Sequence, residues 1–428
     1  DVTVTGFQGL TVIGGNSNGA YAQIGNGGHL NSGSITSHTT VTGTGLITLG
    51  SASSWTNAHI GAGGSGAQGT KTGNVTVTGG GIVLQGGTSS AQIGNGGAFI
   101  GRFATGTVNG TVTVTANGAG MTGPDAGSIH MAGGGTIQSY VQIGNGGLVA
   151  DGNITGPTIV NASGALTMES GSGDNTYAQI GIGGAGVNGN MDGAVDVTAA
   201  SIRMTSIGRA GYVQIGQGGG ATASGDGNQR LGRINGDVTV NTTAGGIEMN
   251  SAGSADTVRN FIQIGAGGGG AGTPNGGGGN SVTSITTVNT VGGGLSMNAT
   301  NADYVQIGAG GRGFTSSGIT GAVNLDIDGA VDLTAGDVAD RYVQIGHGGT
   351  RSIGAMDGAV NVFAAGSIAL NGGAADDTYA QIGHGGQYSA GVKSGAIHVT
   401  AGTSLTQAAG AGLHSHTRIG HGGFRSAS

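Results

Sequence analysis

The chain has 428 residues, of which 103 are glycine, 3 proline and none cysteine; charged residues make up 8% and the net charge is −7. Glycine at one residue in four is more than three times its usual share of roughly 7%, which excludes a helical protein, because each interior glycine costs a helix about 0.5–1 kcal/mol relative to alanine. Scarce proline and the lack of glycine at every third position exclude collagen, plentiful Val, Ile, Leu and Thr argue against disorder, and the missing cysteines remove disulfides and thiol chemistry.

The chain opens at Asp1 directly into an alternating run, Val2-Thr3-Val4-Thr5, with no signal peptide ahead of it; a leader has been removed or the chain is a slice of something longer. The next element, Tyr21-Ala22-Gln23-Ile24-Gly25-Asn26-Gly27-Gly28, recurs along the whole length. Its isoleucine returns at 60, 93, 143, 180, 215, 264, 307, 345, 382 and 419, and Ile-Gly-x-Gly-Gly is intact in all eleven copies. A period of this size marks a repeat architecture. Two further pieces precede each motif. The first is Val-x-Val, as in Val75/Val77, Val112/Val114, Val195/Val197 and Val360/Val362; the second is Ile-x-Met or Ile-x-Leu, as in Ile82/Leu84, Ile129/Met131, Ile202/Met204 and Ile368/Leu370. All three pieces alternate with period two, the signature of half-buried strands.

These patterns predict an all-β fold, a parallel β-solenoid with three strands per coil, about eleven coils of roughly 37 residues, and a surface loop after each Gly-Gly. One domain then spans 1–428, and the longer spacings are loop insertions near 98–127 (Ala98–Gly110 plus Asn117–Gly127) and 220–236. Alternation sends Ile143, Ile180, Ile215, Ile264, Ile307, Ile345 and Ile382 into the core. The glycines Gly25, Gly27, Gly28, Gly144, Gly146, Gly147, Gly346, Gly348, Gly349, Gly383, Gly385 and Gly386 are expected at sharp corners, where a Cβ would be penalised; alanine at Gly348 or Gly349 should distort a corner.

Candidate sites are few. Gly181-Ile182-Gly183-Gly184-Ala185-Gly186 matches the dinucleotide fingerprint in letters, but that motif needs a following helix, so no cofactor is expected. The Gly-Gly-x-Gly-x-Asp calcium repeat is absent. The variable motif residue is His347, His384 and His421 in the last three copies. Such a column is a weak candidate for a soft divalent metal or a proton-sensitive patch, against the plainer reading of a corner that tolerates any polar residue. Tyr140, Tyr177, Tyr212, Tyr304, Tyr342 and Tyr379 form a second column, with Phe261 within it; Gln142, Gln179, Gln214, Gln306, Gln344 and Gln381 form a third. Alternation puts both on the outward face of their strand. They read as a ring stack and an amide ladder reinforcing the coils, with the loop folded over them, or as an aromatic strip that grips a partner. Outward pairs such as Thr76/Thr78 and Thr113/Thr115 resemble an ice-binding face, but Asp196, Asn324 and Asn361 interrupt the column. No paired-carboxylate or Ser-His-Asp set can be assembled, so no enzyme is expected. Two lysines and eleven scattered arginines point away from nucleic acid, and no apolar run is long enough for membrane insertion as a helix.

The run Gly358-Ala359-Val360-Asn361-Val362-Phe363-Ala364-Ala365-Gly366-Ser367-Ile368-Ala369-Leu370 leading into Tyr379 to Gly386 resembles the passenger repeats of very large haemagglutinin-like adhesins and autotransporters of Gram-negative bacteria. The resemblance implies a right-handed parallel β-helix at the cell surface or outside the cell, with a structural or adhesive role in a fibre, filament or biofilm matrix. It implies self-association as the main partnership, with a glycan or surface ligand bound through the loops as the alternative. The family's N-terminal secretion domain and C-terminal barrel are not among these residues.

Overall fold

The computed structural model describes residues 1–17, 19–52, 56–98, 106–220, 231–252, 260–268 and 281–428. Among them there is no helix, and every strand pair is parallel. The strands form a β-solenoid. Three sheets are eleven strands deep and a fourth is ten strands deep, each built from every fourth strand of the chain.

One coil shows the plan: strands Val323–Ile327, Val331–Thr334, Tyr342–Ile345 and Ile353–Asp357, followed by the next coil at Val360–Ala364. The register repeats without slippage through the motif, as in Tyr304 on Tyr342 on Tyr379. The first three sheets send alternate side chains into one continuous core, where Ile143, Ile180, Ile215, Ile264, Ile307, Ile345 and Ile382 are fully buried. Each aliphatic chain removed from water there contributes about 1.5–3 kcal/mol. A single coil has nothing to cover these side chains from above or below, so the core exists only between stacked coils.

Four sheets replace the three expected. The segment after Gly-Gly is no open surface loop: it supplies the fourth strand, and its one inward residue per coil runs Ile35, Lys71, Val108, Ile154, Met191, Ile234, Val282, Ile319, Met356 and Lys393. The strand is two to six residues long, too short to display an alternation. The apolar members of this column close a second core. Lys71 and Lys393 sit in it by directing their ammonium groups to backbone carbonyls, among them Gly33 O for Lys71 and Gly391 O and Ala427 O for Lys393. Of the insertions expected from the spacing, residues 99–105 and 221–230 lie outside the described residues. The 117–127 segment is a turn between the first and second strands of its coil, and its Met121 packs over Gly80 and Gly81.

Corners carry the backbone cost of this plan. Of the twelve motif glycines expected there, all except Gly386 have positive φ, for example Gly144 at 137°, Gly146 at 118° and Gly147 at 134°. That region is closed to most L side chains. The space is closed too, since a Cβ on Gly146 would collide with the carbonyl oxygen of Gly183 in the next coil. Gly146→Ala is therefore expected to cost roughly 2–4 kcal/mol, whereas Gly318→Ala, at a strand position with an ordinary φ and 3.9 Å of clearance, stays within about 0.5 kcal/mol of the parent. Denaturant melts of the two variants check this pair.

Candidate functional site

Among the described residues, the strands of the third sheet between its two end strands are buried on both faces, as in Tyr177–Ile180. Its second and fourth residues enter the main core. Its first and third, the Tyr and Gln columns, face outward and are covered by the chain that follows Gly-Gly. Tyr140, Tyr177, Tyr212, Tyr304, Tyr342 and Tyr379 are at most 2% exposed and Gln142, Gln179, Gln214, Gln306, Gln344 and Gln381 are fully buried. An exposed aromatic strip is therefore absent at these positions; the loop has folded over it.

The rings form one parallel stack. From Tyr140 through Phe261 to Tyr379 and on to His416, successive centroids are 4.7–5.3 Å apart with interplanar angles of 2–12°. The coil repeat imposes this spacing, and aromatic pairs in this range contribute about 0.5–1.5 kcal/mol each beyond the area they bury. The third motif glycine makes the arrangement local to each copy. A Cβ on Gly184 or Gly219 would meet the hydroxyl of Tyr177 or Tyr212 of the same copy. Burial pushes the Tyr phenols upward from their ordinary range, most clearly at Tyr177, Tyr212, Tyr304 and Tyr342.

The glutamines do not bond to one another. Each directs its amide Nε2 to the glycine corner of the next coil: Gln142 donates to Gly181 O at 3.3 Å and Gly183 O at 3.1 Å, Gln179 to Gly216 O and Gly218 O, and Gln214 to Gly265 O and Gly267 O. Gln306, Gln344 and Gln381 reach Gly346 O, Gly383 O and Gly420 O. In the opposite direction, Tyr140, Tyr212, Tyr342 and Tyr379 donate their hydroxyls to the Gln Oε1 of the preceding coil at 3.2–3.5 Å. His59 occupies the Gln column in the second copy and still reaches the matching carbonyl, Gly94 O, at 2.6 Å.

The variable motif residue turns inward at the corner. His347, His384 and His421 stack at 4.7 and 4.9 Å. Their Nδ1 atoms accept the backbone N–H of Ala309, His347 and His384, and their Nε2 atoms lie 2.8–2.9 Å from Gly321 O, Gly358 O and Gly395 O. Both nitrogens are thus engaged, with the proton assigned to Nε2 by these partners. Asn145 makes the equivalent pair of bonds, accepting from the Asn95 N–H and donating to Gly110 O, and Asn95 does the same between Ala62 and Gly73. Desolvation lowers His347 to about 4 and, with the charge of His347 adding to it, His384 to about 3. Among the described residues no group of three His, Cys, Asp or Glu converges on a point where a metal ion would sit.

The chain matches no protein-family model, no curated protein and no solved structure. The resemblance to haemagglutinin-like repeats therefore rests on the repeat sequence alone.

One group was not singled out from the sequence. Asp303 and Arg341 are 5% and 4% exposed and form an ion pair, and Arg312 links Asp303 to Asp340 at 3.7 and 3.2 Å. Aligning the copies carries the signal: Asp303 and Arg341 each precede the motif tyrosine, so opposite charges face each other one coil apart.

Two outcomes follow from this geometry. Gln214→Leu leaves the Gly265 carbonyl buried without its amide partner and is expected to cost about 1–3 kcal/mol, while Gln214→His, which reproduces the arrangement at His59, recovers at least half of that loss in a denaturant melt. The histidines set the acid response. The folded-state pKa values of His347 and His384 lie below the unfolded value near 6.5, so between about 6.5 and 4 the unfolded chain binds protons that these two native corners exclude. Stability is complete above pH 6.5 and falls on acidification towards pH 4, by about 3 kcal/mol for His347. The triple variant His347→Asn, His384→Asn, His421→Asn keeps the corner bonds and is expected to lose less melting temperature than the parent between pH 7.5 and 4.5; His59 retains its own share.

Proposed function

We propose that the chain is the rod of an extracellular, non-enzymatic structural protein, a scaffold of a surface fibre or biofilm matrix that assembles with copies of itself. One observation carries this reading: the polar side chains that recur along the coils bond to the neighbouring coil of the same chain. The repeated chemistry holds the rod together. Groups that would bind a substrate or cofactor in another protein are, in these columns, engaged with glycine carbonyls and backbone N–H groups.

What faces outward on the first sheet fits a packing surface. Its first column runs Thr3, Thr40, Thr76, Thr113, Ile159, Asp196, Thr239, Thr287, Asn324, Asn361 and His398 in strict register, with Thr or Asn at eight of the eleven places. Small neutral side chains at the coil repeat cost little to desolvate against a second copy, compared with charged ones. The resemblance to haemagglutinin-like repeats supports reading such a rod as lying outside a Gram-negative cell.

A second reading, an adhesin module for a glycan, is favoured by a shallow groove of about 540 Å³ along five coils of the second sheet, bordered by Thr167, Arg203, Glu248, Ser296 and Asp332. Small-angle scattering and negative-stain microscopy over a concentration series separate the two. The scaffold reading expects stiff rods about 50 Å long that associate laterally or end to end as concentration rises. Rods that stay monodisperse at every concentration, together with retention on a glycan array that Arg203→Ala abolishes, favour the adhesin.

A further inference from the structure

The ring stack on the third sheet is interrupted. Register places Tyr21, Asn57, Ser90 and Tyr140 in one column, so two consecutive coils carry a small polar side chain where the coils from Tyr140 to His416 all carry a ring. Ser90 and Asn57 hydrogen-bond to each other. Beside them lies a cavity of about 110 Å³, bounded on the inside by Tyr140, Leu148 and Ala98 and towards solvent by Thr88, Ile137 and Gln138. The inner wall is at most 8% exposed, whereas Ile137 at the mouth is 64% exposed. The cavity therefore runs from the surface to the end of the aromatic stack. One polar atom in its wall is left over: the Thr88 hydroxyl is buried and has no hydrogen-bond partner.

We infer that this interruption is a binding site for a single planar ring bearing a hydroxyl, a small phenol. Three features select that class. The volume approaches that of one ring: an apolar cavity of about 150 Å³ accepts benzene, and the ~110 Å³ enclosed here is extended by an open mouth that takes the substituent. The shape is that of a flat ring, because the coil repeat sets a layer spacing of 4.7–5.3 Å along this column, which suits an aromatic better than a puckered aliphatic ring. The walls are apolar inside with a polar group at the edge, as in small-molecule sites generally; a turn of the Thr88 side chain about χ1 brings its unpartnered hydroxyl from its buried position to the phenolic oxygen. A plain hydrocarbon leaves that hydroxyl without a partner, whereas a phenol supplies one.

The test titrates phenol and cyclohexanol into the full chain, followed by ligand-observed NMR. The expected result is saturable phenol binding in the millimolar range or tighter, at least about tenfold stronger than that of cyclohexanol. Ser90→Tyr, which restores a ring to the column, is expected to weaken phenol binding at least about tenfold and to raise the melting temperature. Thr88→Val is expected to weaken it several-fold while leaving the circular dichroism spectrum unchanged, and it decides the matter if Ser90→Tyr fails to fold. Absence of saturable phenol binding by the folded parent overturns the inference. So does phenol binding left unchanged by both Thr88→Val and a folded Ser90→Tyr, or equal binding of phenol and cyclohexanol.

Discussion

The structure depends on the amide of one glutamine per coil. Folding the chain back over the outward face of the third sheet buries the glycine corner, where the first carbonyl, such as Gly216 O, has the glutamine amide as its donor, while the third, such as Gly218 O, also accepts the main-chain N–H of Gly184. A buried carbonyl without a donor costs on the order of 1–3 kcal/mol, and ten stacked corners would multiply that cost beyond the margin by which domains are stable. The Gln Nε2 removes it by donating to the first and third residues of the next corner, as Gln179 does to Gly216 and Gly218. Because the donor and the acceptors belong to different coils, the same bonds that satisfy the corner also fix the coil register.

The remaining motif positions follow from that cover. The tyrosine three residues before the isoleucine fills the space beneath the turn and, where its hydroxyl reaches, bonds the other end of a glutamine amide. The third glycine has no room for a Cβ because the glycine carbonyl of the preceding coil and, where present, the tyrosine hydroxyl of its own copy close the space, as Gly147 O and Tyr177 do at Gly184. Asn145 and neutral His347 alike supply one acceptor and one donor at the variable position, whereas Gln217 there uses only its amide donor. Where the variable residue is apolar, as at Ile182, Ala266 and Ala309, it joins the second core instead. Glycine richness is thus the result of close main-chain approach at repeated corners and produces rigidity.

Much of this was legible in the repeat. Strict Ile-Gly-x-Gly-Gly copies and three alternating pieces per period pointed to a parallel solenoid with the isoleucines inside. Two things were not. The fourth sheet hides in the sequence because each of its strands offers a single inward residue, such as Met191 or Met356, and one apolar residue has no period; its mark is the position of that residue two before Gly-Ala-Val in several copies. The fate of Tyr and Gln was also undecided, because alternation within a strand says which face a residue takes and nothing about what later covers that face. The histidine column showed the same limit: three histidines in a sequence carry no directions, whereas the geometry turns every Nδ1 toward a backbone N–H.

The same glutamines offer the most direct measurement. Solvent exchange of the side-chain amide protons of Gln179 and Gln214, followed by NMR in the native chain, reports whether they are buried and bonded to the next corner. The account predicts exchange slowed to the pace of the core backbone amides, together with loss of that protection in the coil preceding a Gly216→Ala substitution. Exchange as fast as that of a solvent-exposed glutamine would contradict it, because the third sheet would then present its outer face to water.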